Sequence, residues 1–494
     1  MITWLTLAPA VAALLILAAP ARFARALALV GSLVSLAIAL PLIVDAMHRG
    51  NLHAIENAIW IPALNVEYLV GLDGTNSLVL LLATLLAPVV VLASWKHDNR
   101  PRAYFALLSL QFTGLFGALT ALNFFHWFLY WELALVPAFF LIKMFGHGED
   151  RHQAALNFFL FTVLGSIAML IGFLFLHQQT GTFNFIELAE LNKTEPGVRV
   201  HPLVFCAILA GLWVKVPLAP LHIWQAPAYA AAPAPVAMLL TGIMSKLGVY
   251  GFLRLIVPIF PAQLQEHAGA LMAFALLTIL WGAFLALRQT DLKRILAYSS
   301  LNHVAYCILG VGALGMATEG LEIDAHALAA NGVILQMFAH GIAAAGLFYL
   351  VGLLESRTGA RGLDDFGGLS AVTPRLAAAF FLLTFCSLGL PFMAGFAAEF
   401  LIFSGSFAVA PGLTAAAILG LLATAIFLLT VLQRIFTGET PGPLKTLRDL
   451  SLRETLVVIP LLILIFWAGI APRHWLAWTS AAPTPITQKA QAQP

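Results

Sequence analysis

The stretch Gly211-Leu212-Trp213-Val214-Lys215-Val216-Pro217-Leu218-Ala219-Pro220-Leu221-His222 decides how this chain must fold. It lies inside an apolar run long enough for a membrane helix. Yet two prolines stand at its centre, and each removes a backbone donor and obstructs the turn before it. Lys215 adjoins them. Backbone that leaves the helix at mid-membrane depth survives only against protein or a water-filled cavity, so a charge beside such a break predicts a hydrated interior. Gly389-Leu390-Pro391, followed by Gly395, repeats the pattern in the second half of the chain. Breaks at corresponding places in two halves point to inverted repeats.

The surrounding sequence is overwhelmingly apolar: 61% of the 494 residues are hydrophobic and 10% charged, against roughly 25% charged in an ordinary soluble domain. Apolar runs long enough to cross a ~30 Å hydrocarbon core as helices recur along nearly the whole chain. They predict helices near 3–19, 26–44, 76–95, 103–121, 123–145, 154–177, 203–230, 234–258, 267–287, 292–315, 327–354, 374–406, 412–436 and 455–471. The expected fold class is an all-α integral membrane protein of about 14 transmembrane helices, with two inverted five-helix repeats in which helices 7 and 12 are broken. Residues 1–102 hold helices 1–3 with an external loop, 103–260 the first repeat (helices 4–8), 261–437 the second (helices 9–13), and 438–494 helix 14 with an external tail. An odd number of helices per repeat turns the second copy over. The segment from Gly50 to Gly74, interrupted by Glu56, Glu67 and Asp73, reads as a loop with short interfacial structure. The tail after Ser480, rich in Ala, Pro and Gln, reads as disordered.

Sorting the 25 Lys and Arg residues tests this count. With an external N-terminus, seventeen fall on inner loops, five outside, and Lys215, Lys246 and Arg254 within helices. The bias obeys the positive-inside rule and puts both termini on the outer side. Met1-Ile2-Thr3-Trp4 lacks the positive region of a secretory signal, so helix 1 is expected to be retained. Arg254, late in helix 8, is expected to snorkel to the interface. The net charge of +2 offers no concentrated basic face, which excludes nucleic acid as a partner class. Cys206, Cys307 and Cys386 lack the spacing of iron–sulfur or zinc ligands. They read as small core residues.

Two of the 23 acidic residues fall well inside helices, Glu132 in Trp131-Glu132-Leu133 and Glu399 in Ala398-Glu399-Phe400. Lys215 and Lys246 join them there. Each mid-membrane charge costs about 2.5–3.5 kcal/mol on insertion scales, so all four require partners or water. Structural ion pairs between helices are the plain alternative to proton handling. Proton handling is favoured because Lys and Glu exchange protons, whereas Arg, the better structural pairing residue, is missing from those central positions. His303, in Ser299-Ser300-Leu301-Asn302-His303, and His340, in Phe338-Ala339-His340-Gly341, supply intermediate stations, since imidazole titrates near pH 6.5. Either alone would more simply be a satisfied core residue. His222, just past the first break, joins the same hydrated zone. No His or acid pair sits at i, i+3 or i+4 on one helix, which disfavours a metal site.

These residues resemble the antiporter-like subunits of proton-pumping NADH:quinone oxidoreductase, respiratory complex I, over nearly the whole chain. The anchors are Tyr130-Trp131-Glu132-Leu133, Lys215-Val216-Pro217 through Pro220-Leu221-His222-Ile223-Trp224, Ala231-Ala232-Pro233-Ala234-Pro235, Ser245-Lys246-Leu247-Gly248-Val249-Tyr250-Gly251 and Ala339-His340-Gly341. The resemblance implies that Glu132 on helix 5 pairs with Lys215 on helix 7. It also implies that Lys246, His303 and His340 lead on to Glu399 on helix 12. Glutamate rather than lysine at that last position looks like the M type of subunit. The chain also ends soon after helix 14, without the long lateral helix of the L type. Where the family continues with Leu-Pro-x-Ala-His, this chain has Gln225-Ala226-Pro227-Ala228-Tyr229. Tyr229 thus stands in place of a histidine, as in a divergent paralogue.

The activity implied is proton translocation from the inner to the outer side of a bacterial inner membrane, in a hetero-oligomer with L- and N-type neighbours. The resemblance assigns FMN, iron–sulfur clusters and quinone to partner subunits, and no cofactor, metal or redox site to this chain. A multisubunit cation/proton antiporter, a membrane hydrogenase or a bicarbonate-uptake assembly would share these charges. A non-translocating scaffold is a further alternative.

Overall fold

Each apolar run forms a helix in the computed structural model, which describes residues 1–49, 52–194, 200–318, 321, 324–477 and 479. Ten helices are individually long and apolar enough to cross a bilayer. With the shorter Ile2–Ala18 (span 1) and Ser77–Ala93 (span 3), and two pairs of half-helices, they make fourteen spans among the described residues. In chain order the unbroken long ones are span 2 (Ala24–Arg49), 4 (Pro101–Thr120), 5 (Phe124–Phe145), 6 (Arg151–Thr180), 8 (Ala234–Ile259), 9 (Pro261–Leu287), 10 (Leu292–Ala313), 11 (Ala325–Thr358), 13 (Pro411–Phe436) and 14 (Leu452–Ile470). Spans 8, 10 and 11 are almost wholly enclosed by their neighbours. Outward-facing residues such as Leu164, Leu422 and Ile463 stay exposed, which is the apolar coat that a bilayer covers.

Both breaks form where the prolines and glycines place them. Span 7 consists of Pro202–Lys215 and Gln225–Ala231, and span 12 of Pro374–Ser387 and Ala394–Val409. Each is the fourth member of its set of five. The same backbone bond closes both: Leu218 N–H donates to Trp213 O at 2.9 Å, and Leu390 N–H to Phe385 O at 3.1 Å, each five residues back. Gly389 supplies the left-handed turn of the second break, with φ +67°, a conformation that costs other residues roughly 1–2 kcal/mol. Span 8 departs from a plain helix in two π-helical turns, Leu240–Met244 and Phe252–Ile256. Such turns recur at functional sites.

The segment between spans 2 and 3 is more regular than a loop. Strands β1 (His53–Ile61) and β2 (Val66–Leu72) form an antiparallel hairpin. It turns through Pro62–Leu64 and Asn65 at φ +49°, a left-handed position that asparagine tolerates. A further helix, Phe185–Thr194, precedes span 7.

Two expectations are corrected. Arg254 does not snorkel: it is buried, and its Nη1 and Nη2 donate to Asp73 Oδ2 and Oδ1 at 2.6 and 2.7 Å while Nε donates to the Tyr250 hydroxyl at 3.0 Å. The turn after β2 brings a carboxylate to match the guanidinium fork, so the charge is satisfied in place. Cys206 is not a core residue but faces outward, whereas Cys307 and Cys386 are buried. The tail after Ser480 lies outside the described residues.

Candidate functional site

Two clusters of ionisable side chains occupy the interior, one around each break. In the first, Lys215 ends the leading half of span 7 and is buried. Its Nζ lies 4.6 Å from the centre of the Trp131 ring, an attraction worth about 2 kcal/mol or more when desolvated. The ring is fixed by Trp131 Nε1 donating to Ser166 Oγ at 3.0 Å. Glu132, the next residue on span 5, is the carboxylate whose field reaches Lys215. The two do not touch, however. Neither Lys215 Nζ nor Glu132 Oε1 has a hydrogen-bond partner among the described residues, so the implied pair is present but open.

The second cluster is a nearly continuous chain. Lys246 is buried on span 8, and its Nζ donates to the carbonyl of Thr241, which the π-helical turn leaves accessible five residues back. Thr241 Oγ1 and Ser300 Oγ share a hydrogen bond of 2.9 Å, and His340 Nε2 meets Ser300 Oγ at 3.1 Å. The His340 and His303 rings stack with centroids 4.8 Å apart and planes within 6°. His303 Nε2 then lies 3.7 Å from Glu399 Oε1, and Gln336 Nε2 donates to that oxygen at 3.5 Å. Gly389 makes room at this end, because a Cβ there would stand 2.7 Å from Glu399 Oε2.

The clusters meet at Gly248, where an added Cβ would fall 2.8 Å from Val216 N and 3.1 Å from Lys215 C. Span 8 therefore presses directly on the break of span 7. Tyr229 closes the same wall: its hydroxyl donates to Leu240 O at 2.9 Å, in the π turn just before Lys246. His222 stands apart. It lines a cavity of about 720 Å³ with Pro220 and Tyr298, and no described contact joins it to either lysine.

The structure thus gathers Lys246, His340, His303 and Glu399 into one chain, places Glu132 and Lys215 together beside it, sets Tyr229 against it and leaves His222 outside. The sequence reading missed the roles of Trp131, Thr241, Ser300 and Gln336. Ser300 sits three residues before His303 and so shares its helix face, a signal that was available. Nothing in hydropathy announces that a π turn will offer Thr241 O to Lys246. Buried atoms without a protein partner punctuate the route, among them Gln225 Oε1, His340 Nδ1 and Gln336 Oε1. Buried polar groups are normally satisfied, and water is the partner that fits here.

A fourteen-span bundle with two broken helices and a buried lysine–histidine–glutamate axis defines a membrane transport subunit of the antiporter type. Its sequence matches the family described as NADH:quinone oxidoreductase/Mrp antiporter, transmembrane, over residues 121–426. The chain belongs to that family, as an antiporter-like subunit of the M type. It is 33% identical to NADH-quinone oxidoreductase subunit M of Escherichia coli strain K12, over 86% of this chain and 83% of the relative. It is 34% identical to F(420)H(2) dehydrogenase subunit M of Methanosarcina mazei, over 84% and 83%. Among solved structures, respiratory complex I from Thermus thermophilus with bound NADH contains a chain that superposes with a TM-score of 0.86 at 30% identity, covering 97% of this chain and 99% of that one.

Proposed function

We propose that this chain is the proton-translocating M-type membrane subunit of an NADH:quinone oxidoreductase, built as two inverted five-helix repeats. The observation that carries the reading is the chain of contacts from Lys246 through Thr241, Ser300, His340 and His303 to Glu399. Every member can give or accept a proton or a hydrogen bond. Protons load from the basic side toward Lys215 and Lys246, pass along the hydroxyls and imidazoles with bound water, and leave on the opposite side at Glu399.

The open Glu132–Lys215 pair is the switch. When the carboxylate approaches, the ammonium form is favoured; when it withdraws, the proton is released. A change of about 2.7 kcal/mol in that attraction is a hundredfold change in proton affinity. It compares with the ~2.3 kcal/mol needed to move one charge against 100 mV. The switch is therefore large enough to work against a membrane potential.

In this reading the redox chemistry, with FMN, iron–sulfur clusters and quinone, belongs to partner subunits. L- and N-type subunits flank the chain in a bacterial inner membrane, with both termini on the outer side. The similarity to an F(420)H(2) dehydrogenase subunit at 34% identity supports a second reading, in which a different electron donor drives the same pump. Mass spectrometry of the intact assembly purified through this chain distinguishes the two by the electron-input subunit recovered. The reading itself is tested by pumping in sealed vesicles: Lys215→Ala and Glu399→Gln should each abolish proton transport coupled to quinone reduction. Near-normal pumping in both would overturn it.

A further inference from the structure

Two cavities at the basic end of the bundle meet along the same pair of helices. The larger, about 790 Å³, lies where the ends of spans 3, 11 and 14 converge, and its walls include Lys96, His97, Arg357 and Arg453 together with Glu355 and Glu454. Both acids are already committed. Glu355 Oε2 holds Lys293 at 2.6 Å and its Oε1 faces Arg361 at 3.5 Å, while Glu454 Oε2 holds Arg357 at 2.6 Å. Lys96 and Arg453 form no ion pair among the described residues. The cavity therefore keeps a surplus of positive charge.

The second cavity, about 210 Å³, is apolar and runs between spans 3 and 14, with Leu85, Val89 and Leu92 on one wall and Leu456, Pro460 and Leu464 on the other. Leu92 adjoins Ala93 and Ser94 of the cationic cavity, and Leu456 is one turn from Arg453. The slot thus leads into the charged chamber along both helices. A free anion would use the chamber and leave the slot unexplained; an uncharged lipid would use the slot and leave the surplus charge unexplained. An amphiphile with an anionic head satisfies both. Its chain would also lie against Leu82 and Ile342, which line the slot. Leu82 in turn packs against Gly341, next to His340.

We propose that spans 3 and 14 bind one anionic phospholipid, with its headgroup phosphate between Lys96 and Arg453 and an acyl chain in the apolar slot. The bound lipid braces span 11 at the height of His340. The test uses the protein in its native assembly, purified in mild detergent and analysed by native mass spectrometry and lipid extraction. Wild type should retain about one anionic phospholipid per chain. The double variant Lys96→Gln/Arg453→Gln should weaken the binding constant about twenty-five-fold, at about a factor of five for each cation near a headgroup, and the lipid retained should fall well below one per chain.

Leu456→Trp, which fills the slot without touching a charge, should also lose the lipid. It keeps the test alive if the double variant fails to assemble. Re-lipidation with phosphatidylglycerol vesicles should restore occupancy in wild type, whereas phosphatidylcholine vesicles should not. Unchanged occupancy in both variants, or equal uptake of phosphatidylcholine, would overturn the proposal. So would an inorganic phosphate adduct that survives in Leu456→Trp, because it would mark a free-anion site instead.

Discussion

His303 is held by two carbonyl oxygens, Ser299 O 2.7 Å from Nδ1 and Ser387 O 2.8 Å from Nε2. Both partners are acceptors, so a neutral ring satisfies one of them and a protonated ring both. The site thus receives a proton without leaving a new donor unpaired, and Glu399 lies 3.7 Å further on. Ser300 is the counterpart on the other side of the stacked rings, since its hydroxyl bonds both Thr241 and His340. Ser300→Ala should lower pumping by roughly tenfold or more, about the effect expected of a displaced proton-transfer group, while costing only about 1 kcal/mol of stability. Vesicle acidification and thermal unfolding of the same preparation separate the two effects. Full pumping with the expected small stability loss would remove Ser300 from the path.

At the scale of elements, the two breaks are packed through glycines that admit close neighbours, Gly248 of span 8 against the first and Gly389 within the second. Gly389→Ala places a Cβ 2.7 Å from Glu399 Oε2 on a residue already at φ +67°. Conformation alone should cost roughly 1–2 kcal/mol, and transport should fall further because the carboxylate must move. Gly389→Asn, which tolerates the turn but still carries a Cβ, should recover stability and not transport.

The Asp73–Arg254 pair ties the hairpin to span 8, and Arg254→Ala should destabilise the fold by about 3–5 kcal/mol by stranding a carboxylate. Burial pushes the Asp73 carboxyl up, but Arg254 outweighs it and holds the group below its ordinary 3.8. The stabilisation from this pair is therefore present above about pH 4 and is lost as pH falls through the lowered value. In Asp73→Asn that part of the acid destabilisation should disappear from a pH titration of unfolding. An unchanged acid limb would sink the assignment.

For the whole molecule, the alternation of fourteen spans places the loop after span 5 and the hairpin on opposite faces. In a Cys206→Ser background, needed because Cys206 is itself exposed, Glu149→Cys should be labelled by an impermeant reagent only from the basic side. Leu64→Cys should be labelled only from the other. Labelling of both from one side would reverse the topology.

The span boundaries, both breaks and five of the buried ionisable residues, Lys215, Lys246, His303, His340 and Glu399, were legible in the sequence, as was half-buried Glu132. Hydropathy acts through a solvent of fixed thickness, and proline acts on its own helix, so both effects are local. What the sequence could not supply was which polar groups touch. The hydrogen bond of the Thr241 hydroxyl to Ser300, the ring of Trp131 beneath Lys215 and the capture of Arg254 by Asp73 join residues from different elements. Those approaches depend on how helices far apart in the chain pack, and only the tertiary structure decides them.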